Sequence, residues 1–181
     1  MCVVVVDVIP QPTYRTQLGA IAAEEARCVF TRFTANTAWT LGSLLRDRLR
    51  RGSTRPAVVN ITLANNDQLL FHAASGSGTG PDNDIWVARK RRAVLRWGAS
   101  TWALHNKYKG DEAAFAAKFQ LGPRGGDYAI HGGGFPVRVK GVEGIVGVIV
   151  VSGLTMQEDH EVIVEVIEEY LQKVDAGEIQ D

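Results

Sequence analysis

Residues 131–153 read HGGGFPVRVKGVEGIVGVIVVSG, and the rest of the chain is arranged to cover them. Phe135, Val137 and Val139 alternate with Pro136, Arg138 and Lys140, the period-2 pattern of a strand with one wet face. Gly141 to Gly144 can supply a turn. The return run, Ile145 to Val151, is apolar on both faces apart from Gly147, which predicts a strand inside a sheet covered on both sides, by helices or by another subunit. Gly132, Gly133 and Gly134 then permit a bulge or a close backbone approach that a Cβ would block.

Past the hairpin, Thr155 and Glu158 have capping-box spacing. Ile163, Val166, Ile167, Tyr170, Leu171 and Val174 continue from them as one apolar helical stripe that must pack on something, and the sheet is nearest. Residues after Ala176 should fray. Before the hairpin, the spacing predicts a short helix over Thr13–Arg32 and a better one over Asn36–Arg51, with Thr34 or Asn36 as cap and Gly52 as stop. The cations Arg46, Arg48, Arg50 and Arg51 in its last turns suit a negative helix end. Pro56–Ala74 reads as a hairpin turning at Asn65-Asn66-Asp67, followed by a glycine-rich loop, 75–81. A long helix from Asp84 to about Trp102, capped by Asp82 or Asn83, and a short helix within Lys109–Gln120 complete the pattern. Hairpins interspersed with helices favour α+β with an antiparallel sheet over the βαβ rhythm of a parallel one.

A chain of 181 residues, 45% hydrophobic, can bury one substantial core, so a single domain over 13–181 behind an arm of residues 1–12 is the natural division. Lys+Arg and Asp+Glu are 20 each, which removes any global draw to nucleic acid or an acidic membrane. The opening MCVVVVDVIP is broken by Asp7 and Pro10 and falls far short of a span; an extra strand or a docked arm is the expectation. Two cysteines, Cys2 and Cys28, make neither a disulfide framework nor a zinc pattern and suit a reducing cytoplasm.

Few motifs carry chemistry. The 76–81 loop lacks the Lys-Ser/Thr ending of a P-loop, places Pro81 where a dinucleotide fingerprint needs glycine, and is followed by Asp82 and Asp84, which repel anions. Arg89-Lys90-Arg91-Arg92 put four cations in the first half of a helix, against the macrodipole and around more than half its circumference. At least one must approach the interior or an interface, where a carboxylate, phosphate or propionate can satisfy it. A structural ion pair with Asp82, Asp84 or a glutamate elsewhere is the plainer reading. Trp86 and Trp97 read as packing residues. Of four histidines, His131 borders the triple glycine and His160 opens the last helix beside Asp159; a satisfied structural role is the plainer reading for each. No metal-ligand spacing and no nucleophile elbow at Ser152 are present, so the enzyme reading is weak and binding is favoured.

Three blocks together resemble the haem-degrading-domain family of HbpS-like and GlcG-like proteins, nearest a microbial and fungal branch of it. They are 82–86 (DNDIW) with Arg89-Lys90, 131–136 (HGGGFP), and 151–154 (VSGL) with Glu158-Asp159-His160. The resemblance spans Ala20 to Val174 and implies a profilin-like antiparallel sheet flanked by helices, assembled into dimers and larger homo-oligomers. It also names haem as a candidate cofactor. On this reading a ligand, haem or another small anion, would meet His131, His160, Arg89, Lys90 and the glycines Gly132, Gly133 and Gly134. The rival reading is a non-enzymatic oligomeric adaptor that binds a protein partner, for example a chaperone complex, through its outer helices.

Overall fold

The computed structural model describes residues 18–179; the arm 1–12 and Cys2 lie outside them. The elements run α1 (Leu18–Arg27), β1 (Val29–Phe30), α2 (Ala35–Gly52), β2 (Val58–Leu63), β3 (Leu69–Ala74) and α3 (Pro81–Trp97). There follow α4 (Thr101–Lys107), α5 (Glu112–Lys118), a 3-10 turn at Gly122–Asp127, β4 (Gly134–Val139), β5 (Gly147–Ser152) and α6 (Met156–Asp175). The five strands form one sheet in the order β1-β4-β5-β2-β3, antiparallel except for the two-residue parallel pairing of β1 with β4. This is the expected α+β layering.

Every residue of β5 is buried, and the alternation of its side chains explains how. Ile149 and Val151 enter the large core beneath α2 and α6, with Leu41, Leu45, Ile163 and Ile167. Val148 and Val150 point the other way, onto Val87 and Val94 of α3. Helices of the same chain therefore cover both faces, and no second subunit is needed to do so. The same layer corrects the expectation of a wet face on β4. Pro136 is buried, and Arg138, half-buried, donates to the Gly98 carbonyl, because α3 and α4 pack over that side.

Two helix boundaries differ from the sequence reading. The first described helix ends at Arg27 rather than running to Arg32, because Val29-Phe30 join the sheet beside Arg138-Val139. The long helix starts three residues early, at Pro81, and stops at Trp97, where Gly98 takes a left-handed φ of 63° and Ser100 caps α4. Its cap is Gly80, and the Asn83 side chain returns to accept from the Gly80 N–H at 2.9 Å. Cys28 is free and buried, and burial pushes its thiol up to about 12. Among the described residues no helix is long and apolar enough to cross a membrane.

Candidate functional site

The three sequence blocks are far apart in the chain and meet at one place. The first turns of α3 and α6, the end of β5 and the 131–133 loop enclose a pocket of about 320 Å³. Local rules place each wall. On α3, Asn83, Trp86 and Lys90 lie at i, i+3 and i+7 and so share one side of the helix. The Asn83 amide donates to the Ser152 carbonyl at 3.1 Å, tying the start of α3 to the end of β5. On α6, the Thr155–Glu158 capping box forms as its spacing predicts and sets the first turn, which presents Met156 and then Asp159 to the pocket.

An ion pair forms the floor. Lys90 Nζ lies 2.8 Å from Asp159 Oδ2 and donates to the Val151 carbonyl at 2.9 Å, while Asp159 Oδ1 accepts from the Leu154 N–H at 3.1 Å. Both residues are only 2% exposed. Burial lowers the Lys90 pKa and raises that of Asp159; their mutual attraction acts the other way and is outweighed. An ammonium has three hydrogens to give. Two are taken here, by the Val151 carbonyl and by Asp159, and Lys90 is among the residues that line the pocket.

The triple glycine exists to let this floor close. Gly133 has φ 104°, and a Cβ there would stand 2.7 Å from both Lys90 Nζ and Asp159 Cβ. At Gly132 a Cβ would drive into the Met156 carbonyl, and at Gly134 it would stand 2.9 Å from the Thr101 methyl. His131 forms a side wall, its ring edge-on to Trp86 with centroids 4.8 Å apart. His131 Nδ1 lies 3.3 Å from Glu112 Oε1. Burial, partly offset by Glu112, holds the imidazole below its usual pKa and therefore neutral near pH 7.

The remaining candidates separate. Arg89 reaches past the pocket to the Tyr128 carbonyl at 3.1 Å, with its guanidinium 4.5 Å above Trp86. Arg91 lies 3.6 Å from Asp67, and Arg92 is exposed. His160 does not line the pocket: it is 1% exposed, Nε2 is 3.6 Å from Glu24 Oε2, and its ring faces Trp102 and Phe135. Trp86, Asp159 and Ser152 are among the members that sequence reasoning missed. Trp86 was assigned to packing yet lines the pocket, Asp159 was seen only as a neighbour of His160, and Ser152 only as a failed nucleophile. Their common signal is that all three fall inside the blocks that carried the family resemblance.

Haem is the group that the family resemblance implies. A neutral imidazole backed by a carboxylate is a sound iron ligand. The rest does not fit. The 320 Å³ volume is at the low end for small-molecule pockets. Arg89 is turned to the Tyr128 carbonyl and does not line the pocket, so among the described residues Lys90, already paired with Asp159, is the one lysine or arginine in the lining to face two propionates, and Asp82 adds negative charge at the rim.

Comparison with known proteins agrees with the fold. A UPF0303 protein of Streptomyces coelicolor is 43% identical over 160 residues, which cover 88% of this chain and 96% of that protein. The crystal structure of the Ybr137w protein superposes with a TM-score of 0.80 at 28% identity, over 87% of this chain and 89% of that one. PduOC in complex with haem matches at a TM-score of 0.59 and 17% identity, over 78% and 94%, a likeness of fold alone. The model for haem-degrading HbpS-like proteins matches residues 33–168, from the approach to α2 into the body of α6, and places this chain in that family.

Proposed function

We propose that the protein binds a small, flat carboxylate in the Trp86–His131 pocket, and that its family role is binding without catalysis. The observation that supports this most directly is that Lys90, a buried cation, lines the pocket together with Trp86 and His131. The Trp86 ring offers a flat wall, and a neutral His131 can accept or donate one further hydrogen bond. Family membership and the haem-bound neighbour speak for haem-related binding in general. The cavity size and the single lysine in its lining favour an anion smaller than porphyrin.

The test is isothermal titration of the purified protein with benzoate-like aromatic acids and with short 2-oxo acids, beside the uncharged amides of the same acids. Saturable binding of an acid but not of its amide, weakened at least about tenfold by Trp86→Ala or His131→Ala, is the expected result. Equal affinity for acid and amide, or no saturable binding of either class, would reject the assignment.

A further inference from the structure

Lysines are almost never buried unless paired, and arginine or an apolar residue fills a purely structural place in an interior as well or better. Lys90 is nonetheless 2% exposed and among the residues that line the pocket. Three features of its surroundings suit a nucleophile. Asp159 Oδ2 lies 2.8 Å from Nζ, and the Leu154 N–H holds the other carboxyl oxygen at 3.1 Å, so a proton acceptor is fixed against the amine. Burial pushes the Lys90 pKa down and that of Asp159 up, and both shifts favour passing one proton along that hydrogen bond to give an uncharged amine and acid. Trp86, Leu154 and Met156 make much of the lining apolar, and side-chain bulk is withheld from Nζ at Gly133, where a Cβ would stand 2.7 Å away.

We propose that Lys90 captures 2-oxo carboxylates covalently as an imine, an inference that rests on the carboxylate reading of the pocket and narrows it to one class of acid. A carboxylate drawn to the Lys90 charge brings the neighbouring carbon towards Nζ, and in a 2-oxo acid that carbon is a carbonyl. One proton first passes from Nζ to Asp159 Oδ2. The amine lone pair then forms a C–N bond while the C=O π pair withdraws onto oxygen, which takes a proton from the nitrogen and leaves a carbinolamine. Asp159 returns its proton to that hydroxyl, the C–O bond breaks, and water departs as the nitrogen lone pair completes C=N. The iminium is again a cation beside a carboxylate, so the pair ends with the charges it began with and no oxidant or reductant is consumed. Trp86 gives the planar, conjugated product a flat face to lie on.

The experiment adds glyoxylate or phenylpyruvate to the full chain with sodium cyanoborohydride, which fixes an imine as a secondary amine, and maps the adduct by peptide mass spectrometry. Lys90 should be labelled at least about tenfold faster than the exposed Lys109 and Lys140, since each unit of lowered pKa raises the free amine about tenfold. Benzoate, which forms no imine, should slow the labelling of Lys90 alone. Asp159→Asn should slow it at least about tenfold and Lys90→Gln should abolish it, with folding checked by circular dichroism. The wild-type map and the benzoate competition decide the matter even where a variant fails to fold. Saturable calorimetric binding of either 2-oxo acid with Lys90 unlabelled would overturn the imine and leave the carboxylate pocket standing. Labelling no faster at Lys90 than at Lys109 and Lys140 would overturn the nucleophile. Uncharged propanal labelling Lys90 as readily as glyoxylate does would overturn the assignment to 2-oxo acids. Absence of both labelling and binding would reject the pocket reading together with the imine.

Discussion

Lys90 shows how one residue can resolve a conflict written into a helix. Four successive cations in the first half of α3 oppose its dipole, and burying one of them costs several kcal/mol unless it is paired. Asp159 supplies the pairing charge, and the Val151 carbonyl takes a second hydrogen. The tetrad itself announced that one cation must turn inward; its partner was hidden because 69 positions separate the two. His131 is the other residue whose chemistry depends on its surroundings. Its folded pKa lies below the ordinary 6.5, chiefly through desolvation. Between 6.5 and the lowered folded value the unfolded chain therefore binds more protons than the folded one, so stability is lost as pH falls through that window. Denaturant titrations of the wild type and of His131→Gln should show the wild type losing stability relative to the variant below pH 6.5. A difference that is flat across that range would mean the imidazole titrates alike in both states.

At the scale of elements, the glycine loop and the α6 start act as one unit, because Gly132 packs on the Met156 carbonyl and Gly133 on Asp159. Gly133→Ala should therefore destabilise by roughly 1–3 kcal/mol, through a strained positive φ and a displaced ion pair. Gly141→Ala, at φ 76° but with open space around it, isolates the backbone part of that cost. Equal losses in urea denaturation of the two variants would show that the close approach contributes nothing. Elements with a local signature were legible in the sequence: the Thr155 capping box, the Leu41–Leu49 face of α2, and the turn before β5 all form as read. The division of the long helix was legible too, in Gly98 followed by Ser100, a stop and then a cap, but helical periodicity masked it. β1 was not legible, since two residues cannot show a period of two. The covered face of β4 was misread for a related reason: an alternating pattern reports polarity, and Arg138 is polar yet satisfied beneath α3 and α4 by the Gly98 carbonyl.

Across the whole molecule, the family assignment and the pocket geometry give different answers about haem, and the chain can be made to choose. Membership rests on residues 33–168, most of which build the sheet and its helical layers, and a shared scaffold does not carry its ligand with it. In the proposed pocket a ligand would meet the few side chains at the ends of β5, α3 and α6. There the volume is about 320 Å³, and Lys90, already paired with Asp159, is the one lysine or arginine among the described lining residues. Porphyrin would have to open that pocket and find new partners for its propionates, losses that a single imidazole–iron bond must outweigh. Haem added to on the order of tens of micromolar should accordingly give no saturable, one-to-one Soret shift. A saturable shift abolished by His131→Ala, with the fold intact, would reverse this conclusion and make His131 the axial ligand. A shift that survives His131→Ala but is lost in Arg89→Ala would reverse it differently, showing that the guanidinium leaves the Tyr128 carbonyl to anchor a propionate.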